Sequence, residues 1–181
     1  MFIQKAEIQK TSKFLPKQRV YTEKKEFNYN MIKWRIAETL VEQLFLELWF
    51  QVFKYWMENT IPSIMGLLKW VRDDVAQNIR KMPDLVVYKD NHAHFVEVKF
   101  RASEKFTLKD LDPDGEYPYH NALVVLVSKR HIKCISYEEL KAWKEITEQS
   151  HNYLWSRKEF ETDTDKIKEY CEYAVKFFSN I

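Results

Sequence analysis

The sequence predicts an α/β fold in which a central mixed β-sheet is flanked by helices. Apolar residues recur at helical spacing from residue 32 to 48, and short runs rich in valine, leucine and phenylalanine follow between residues 84 and 136. Helical patterns precede, interrupt and follow those runs, which is typical of a sheet covered by helices. With 181 residues, 45% of them hydrophobic, the chain can bury a sizeable core. We expect a single domain over 1–181 with its core at about 33–145.

The first half of that core predicts two helices with a strand between them. The first helix starts at about residue 33, and Ile36, Leu40 and Leu44 share its apolar face. The aromatic-rich segment that follows is expected to form a strand from about Phe50. Pro62 suits the first turn of a second helix, which would reach about residue 80 as an insertion in the core.

The second half of the core predicts paired strands. Residues 84–88 and 94–100 form two hydrophobic strands, and Asp90-Asn91 is a suitable turn between them. An uninterrupted apolar run at 122–128 is expected of a strand covered on both faces, and residues 131–136 would pair with it. Together these strands form the predicted mixed sheet.

Three further helical regions complete the prediction. Between the second and third of these strands, the chain could form a short helix before a turn at Asp112-Pro113-Asp114-Gly115. Ser136 and the glutamates after it have the form of a capping box, so a helix is expected to begin there and to cover residues 138–146. The last amphipathic helix lies within 150–181, which we predict to be a C-terminal helical extension that follows the 33–145 core.

Composition excludes several functional classes. The two glycines, Gly66 and Gly115, are isolated, so no glycine-rich phosphate-binding loop can form. The two cysteines, Cys134 and Cys171, are far apart, which disfavours both a disulfide framework and a zinc site. No apolar run approaches the roughly 20 residues of a membrane helix, and the first residues do not resemble a signal peptide. We expect an intracellular, cytoplasmic protein without a membrane partner.

Charge is distributed unevenly along the chain. The formal net charge is +2, but residues 1–36 contain nine lysines and arginines against three glutamates. A basic N-terminal arm, residues 1–30, could contact the phosphates of a nucleic acid, although a solvated terminus is the plain alternative. The candidate nucleic-acid-binding residues are Lys10, Lys13, Lys17, Arg19, Lys24, Lys25, Arg35 and Arg101.

Charged residues interrupt the two hydrophobic strands in a pattern that suggests a catalytic or metal-binding site. Side chains alternate along a strand, so Glu97 and Lys99 share one face while Val98 faces the other way. If the two strands form a hairpin, Asp84 comes within reach of Glu97. Burying such charges costs several kcal/mol per ion unless they are paired or bind a metal.

A metal-dependent phosphodiester cleavage centre would account for these charges. Asp84, Glu97 and the Val98 carbonyl offer the hard oxygen ligands that Mg²⁺ or Mn²⁺ prefers. Lys99 would be a positioned cation that orients a water or stabilises the transition state. The alternative is an ordinary surface Glu–Lys pair at a hairpin edge. The acidic-x-Lys tripeptide also occurs at 23–25 and 139–141, so the strand context carries the prediction.

Pro83-Asp84, a spacer of twelve residues and Glu97-Val98-Lys99 resemble the PD-(D/E)xK nuclease superfamily, with its restriction-endonuclease-like αβββαβ core. The resemblance covers about 33–145 and implies Mg²⁺- or Mn²⁺-dependent hydrolysis of DNA, as in a compact archaeal or viral member. It also implies that the first helix brings a glutamate to the metal. Glu38 lies nearer the apolar stripe than Glu42, so we prefer Glu38.

Other functions on the same scaffold stay open. A Holliday-junction or other branched-DNA resolvase, an RNA-cleaving enzyme and a catalytically degenerate nucleic-acid-binding module would each fit the pattern. A homodimer would match the twofold symmetry of a DNA duplex. A helical interaction protein that uses the aromatic-rich segment 45–70 as a dimer surface is a further alternative.

Overall fold

The computed structural model describes residues 17–54, 66–68, 70–160 and 163–179, with side chains from residue 25 onward. It has an α/β fold in which a five-stranded mixed sheet is flanked by helices, as predicted. The chain divides into two compact units, residues 1–32 and 33–181. The helices are α1 (Lys17–Glu47), α2 (Asp74–Arg80), α3 (Leu108–Leu111), α4 (Tyr137–Lys141) and α5 (Thr164–Phe178); the strands are β1 (Gln51–Lys54), β2 (Leu85–Lys89), β3 (His92–Phe100), β4 (Leu123–Val127) and β5 (Ile132–Ser136).

The strands lie side by side in sequence order, β1-β2-β3-β4-β5. The first three form an antiparallel meander, β4 runs parallel to β3, and β5 returns antiparallel to β4. Asp90 and Asn91 form the predicted turn between β2 and β3, with φ of 49° and 64° as a tight hairpin requires. The parallel pair needs a crossover connection, which contains α3.

The main core lies on one face of the sheet. The apolar face of α1 packs there, including Leu40 and Leu44, against alternate residues of the strands. The C-terminal helix α5, the predicted helical extension, belongs to the same core through Ile167 and Phe178. A helix with this much buried apolar surface is part of the fold, because its removal would expose the sheet.

The opposite face of the sheet has a second, smaller core. All five positions of β4 are buried, which confirms that this strand is covered on both faces. Phe106 and Ile146 pair as an isolated antiparallel bridge and close that side. The second core contains Phe106, Val124, Leu126, Ile135, Leu140 and Ile146.

Three predicted helix bounds differ from the structure. Helix α1 begins at Lys17, so residues 17–30 of the predicted arm are helical, and residues 1–16 lie outside the described residues. The inserted helix was predicted to run to about residue 80 without a break, but residues 70–73 are not helical and α2 starts at Asp74. The Asp73 side chain accepts a 2.7 Å hydrogen bond from the Ala76 N–H, which caps a new helix there. The capping box at Ser136 is confirmed, but α4 already ends at Lys141. Pro62 lies outside the described residues.

A buried lysine secures the loop beside β5. Lys133 has a fully buried side chain, and its Nζ lies 3.0 Å from Glu104 Oε2. The same Nζ donates to the carbonyls of Thr147 at 2.6 Å and Glu148 at 3.1 Å. Ser128 Oγ donates to the other oxygen of Glu104 at 2.8 Å. Every charge in this pair is compensated, which is what allows it to be buried.

Candidate active site

Asp84 lies at the point where β2 begins. The β2–β3 ladder ends at the pair Leu85 and Val96. The backbone of Val98, two residues further along β3, therefore has no residue of β2 opposite it. Asp84 Oδ2 occupies that position and accepts a 2.8 Å hydrogen bond from the Val98 N–H. Because the N–H and C=O of one strand residue point to the same side, the Val98 carbonyl is directed to the same edge.

Glu97 and Lys99 share a face of β3, as predicted. Their neighbours Val96 and Val98 point into the main core, so the two charged side chains lie on the opposite face. Glu97 is 9% exposed, and the Lys99 ammonium forms an ion pair with its Oε1. The hairpin therefore brings Asp84, Glu97 and Lys99 to one edge of the sheet.

Burial and neighbouring charges change the acidity of this cluster. Burial raises the pKa of Glu97 to about 7, and the charge of Asp84 adds to the rise while Lys99 opposes it. Burial alone would lower the pKa of Lys99, but the carboxylates of Glu97 and Asp84 outweigh it and raise that pKa. Lys99 is therefore a stable cation near neutral pH.

Helix α1 contributes Glu38 to the same electrostatic cluster. Burial raises the pKa of Glu38 to about 7, with a further rise from Asp84 and an opposing effect from Lys99. Glu42, the other candidate on this helix, instead forms an ion pair with Lys54 of β1. Asp84 and Lys99 are thus charged neighbours of both glutamates, and Asp84 is the one that raises their pKa values.

The donor groups of the cluster fit a hard divalent cation in their chemistry. The carboxylates of Asp84 and Glu97 and the Val98 carbonyl supply only oxygen. Burial and the charge of Asp84 raise the pKa values of Glu38 and Glu97, and a bound cation would favour the ionised form of both groups. In the conformation described, one Glu97 oxygen is taken by Lys99. Within the described ranges, no three His, Cys, Asp or Glu side chains are arranged as a ready ligand group.

Sequence reasoning missed Tyr117. Its side chain is 4% exposed, and its hydroxyl has no hydrogen-bond partner in the described part of the chain. Burial, followed by the charges of Glu97 and Asp84, raises the pKa of this hydroxyl well above its ordinary value. The one available signal was topological, because the connection between the parallel strands β3 and β4 has to cross one face of the sheet.

The structure describes only some of the residues predicted to bind nucleic acid. Lys10 and Lys13 lie outside the described residues, and the side chains of Lys17, Arg19 and Lys24 are likewise not described. Lys25 and Arg35 are exposed and Arg101 is half-buried. The charge of Arg35 opposes the rise in the pKa of Glu38, and that of Arg101 opposes the rise in the pKa of Lys99. Arg101 Nη2 also lies 3.8 Å from Asp110 Oδ1.

No protein-family model, no curated protein and no solved structure matches this chain. Its class follows from its own geometry: an α/β protein whose mixed sheet carries carboxylates and a lysine at one strand edge. Over the part of the chain that is described, no helix is long and apolar enough to cross a membrane.

Proposed function

We propose that this protein is a divalent-metal-dependent nuclease that hydrolyses phosphodiester bonds in DNA. The observation that carries the proposal is the hydrogen bond from the Val98 N–H to Asp84 Oδ2, because it joins the Pro83-Asp84 segment to the Glu97-Val98-Lys99 segment. That bond makes two carboxylates and a cation one charged cluster at a strand edge. Clusters of perturbed ionisable groups are more common at functional sites than elsewhere.

The residues that would hold the metal are Asp84 and Glu97, through their carboxylates, and Val98, through its carbonyl. Mg²⁺ or Mn²⁺ bound there would neutralise charge on the phosphate and lower the pKa of a bound water. The raised pKa of Glu97 makes proton release part of metal uptake near neutral pH.

The chain's own groups account for the remaining chemistry. In hydrolysis a water oxygen forms a bond to phosphorus, and the bond from phosphorus to the leaving sugar oxygen breaks. The attacking water loses one proton, and the leaving oxygen gains one from solvent. Glu38, with its pKa raised to about 7, is suited to accept the proton of the water. Lys99, as a stable cation, offsets the negative charge that develops on the phosphoryl oxygens.

A cleavage panel tests this function. The substrates are linear, nicked, flap and four-way-junction DNA and a matched RNA, each with Mg²⁺, with Mn²⁺ and with chelator. We expect metal-dependent cleavage of DNA that falls at least about a hundredfold in Asp84→Asn and Glu97→Gln. Asp114→Asn removes an exposed carboxylate outside the cluster and serves as the matched control. Full activity in both cluster variants, folded by circular dichroism, contradicts the proposed site.

The substrate panel also separates the forms of this activity. Preferential cleavage of the four-way junction identifies a branched-DNA resolvase, whereas cleavage of the RNA alone contradicts the proposal for DNA. A homodimer stays a prediction, which sedimentation of the full chain with and without duplex can test.

A second candidate function is nucleic-acid binding without cleavage. The ion pair between Lys99 and Glu97 favours it, because that pair satisfies a carboxylate that the nuclease needs for metal. This candidate predicts binding that weakens with salt and does not depend on divalent metal. Replacing Arg35 or Arg101 with alanine would then reduce the slope of log K against log salt by about one each.

A further inference from the structure

Tyr117 is buried over the face of β3 that carries Glu97. Its ring packs with those of Tyr119 and Tyr137, at centroid distances of 5.9 and 5.4 Å. Phe95, two residues before Glu97 on the same strand face, packs against this group and lies 5.0 Å from the Tyr119 ring. The aromatic group therefore adjoins the charged cluster.

The backbone that carries Tyr117 is fixed by Asp112. Asp112 Oδ1 accepts hydrogen bonds from the N–H groups of Glu116 at 2.8 Å and Tyr117 at 2.9 Å. Its Oδ2 accepts from the Tyr137 hydroxyl at 2.9 Å. Side chains on a segment held in this way are pre-organised, which is what a binding or catalytic group requires.

The hydroxyl of Tyr117 differs from those of its neighbours. Tyr119 donates to the Asn78 carbonyl at 2.9 Å, and Tyr137 donates to Asp112. The Tyr117 hydroxyl is buried and has no partner in the described ranges, although buried hydroxyls are nearly always hydrogen-bonded. An unpaired buried donor is costly in the free protein, and a bound acceptor removes that cost.

Two features indicate the chemistry of that acceptor. Burial, followed by the charges of Glu97 and Asp84, raises the pKa of the Tyr117 hydroxyl, so the group keeps its proton and can donate a hydrogen bond. In the conformation described, Glu97 accepts from Lys99 and Asp84 accepts from the Val98 N–H, and neither carboxylate accepts from Tyr117. An oxygen brought by a ligand can supply that acceptor. A phosphodiester bound beside Lys99 has non-bridging oxygens of this kind.

We propose that the Tyr117 hydroxyl donates a hydrogen bond to a non-bridging oxygen of the phosphodiester that is cleaved. This inference rests on the proposed nuclease function and adds a catalytic residue to it. The hydroxyl gains its partner only when substrate is bound, and the hydrogen bond strengthens as negative charge develops on that oxygen. No change in bonding at Tyr117 accompanies the reaction, because the group donates a hydrogen bond and keeps its proton.

The test compares Tyr117→Phe with Tyr119→Phe, using whichever DNA substrate the wild-type protein cleaves. We expect kcat to fall about a hundredfold in Tyr117→Phe with little change in KM, and Tyr119→Phe to cleave like wild type. The melting temperature of Tyr117→Phe should equal or exceed that of wild type, since the variant loses an unpaired buried hydroxyl. A purely packing role predicts no change in kcat unless the melting temperature also falls.

The possible outcomes distinguish a failure of this inference from a failure of the proposed nuclease function. If wild type cleaves and Tyr117→Phe cleaves equally well, the inference is overturned and the nuclease function stands. If kcat falls only together with a lower melting temperature, the residue is structural and the inference is overturned. A folded wild-type protein that cleaves no substrate with Mg²⁺ or Mn²⁺ overturns the proposed function and this inference with it.

Discussion

The backbone N–H of Val98 donates a 2.8 Å hydrogen bond to Asp84 Oδ2, and Val98 is the residue between Glu97 and Lys99. The bond forms where the β2–β3 ladder has ended, so a side chain takes the place of the next strand residue. It fixes the Asp84 carboxylate at the edge of β3, where its charge acts on both Glu38 and Glu97. The pKa values of Glu38 and Glu97 both respond to this position.

The first prediction concerns that shared charge. In Asp84→Asn, the side chain can still accept from the Val98 N–H, but its negative charge is gone. We expect the pKa values of Glu38 and Glu97 both to fall from about 7, yet to stay above 4.5, because burial is the larger cause of each shift. Carbon-13 NMR titration of the glutamate side chains measures this. Unchanged pKa values for both residues would show that Asp84 is not their common neighbour.

The second prediction separates the two glutamates of α1. Glu38→Gln removes a carboxylate coupled to Asp84, and we expect at least a tenfold loss of metal-dependent cleavage. Glu42→Gln, the matched control, breaks the ion pair with Lys54 and leaves the cluster intact, so cleavage should stay within about twofold. Both rates are measured on the same DNA substrate at saturating Mn²⁺. A larger loss in Glu42→Gln would reverse the choice between the two residues.

The predictable parts of this protein follow from local patterns. Alternation along β3 was enough to predict that Glu97 and Lys99 share a face opposite Val98, and Asp90-Asn91 was enough to predict the hairpin. That hairpin brings Asp84 into the cluster, since pairing in a hairpin is fixed by its turn. The five-residue apolar run of β4 predicted its burial on both faces, because a strand with one face in solvent would alternate apolar and polar residues.

The parts that could not be predicted depend on contacts between distant residues. Tyr117 reaches the cluster through the crossover between parallel strands, whose path has no local signature. Lys133 pairs with Glu104, a residue 29 positions earlier, and appears in the sequence only as a lysine in an apolar strand. Helix α5 buries the apolar face of its own amphipathic pattern, but the place of that face in the main core depends in the same way on tertiary packing.

The third prediction is that divalent metal stabilises the folded protein. A ligand that binds the native state alone raises the free energy of unfolding by about 2.7 kcal/mol at a hundred times its Kd. Mg²⁺ or Mn²⁺ should therefore raise the melting temperature of wild type, and chelator should reverse the rise. The rise should be absent from Asp84→Asn and Glu97→Gln and preserved in Asp114→Asn. An equal rise in all four proteins would indicate binding elsewhere.

The fourth prediction concerns the pair Glu104 and Lys133. Glu104→Gln leaves the Lys133 ammonium buried without its anion, so we expect the free energy of unfolding to fall by about 3 kcal/mol at pH 7. Exposed Glu145 provides the matched control, since Glu145→Gln should change stability by less than about 0.5 kcal/mol. Urea unfolding measures both variants.

The loss of stability in Glu104→Gln should depend on pH. Burial alone would raise the pKa of Glu104, but hydrogen bonds from Ser128 and Lys133 outweigh it and hold the pKa below 4.5. A carboxyl group with a lowered folded pKa stabilises the protein above its unfolded pKa, and that contribution is lost as the pH falls through the folded value. The stability difference between wild type and Glu104→Gln should therefore narrow below pH 4.5. A difference that is constant from pH 7 to pH 3 would contradict this origin.

The fifth prediction links the loop before β4 to the charged cluster. Asp112 is buried and accepts from the N–H groups of Glu116 and Tyr117 and from the Tyr137 hydroxyl. Asp112→Ala leaves three donors without an acceptor, and each buried donor of this kind costs roughly 1–3 kcal/mol, so we expect a loss of at least about 2 kcal/mol in stability.

The same substitution should also reduce cleavage at temperatures where the variant is still folded. Tyr117 loses the hydrogen bond that fixes its backbone, so its hydroxyl no longer has a single position beside Glu97. Asp112→Ala should therefore reduce kcat in wild type but have little additional effect in a Tyr117→Phe background, because residues that act through one another are not additive. Multiplicative losses in the double variant would mean that Asp112 affects catalysis independently of Tyr117.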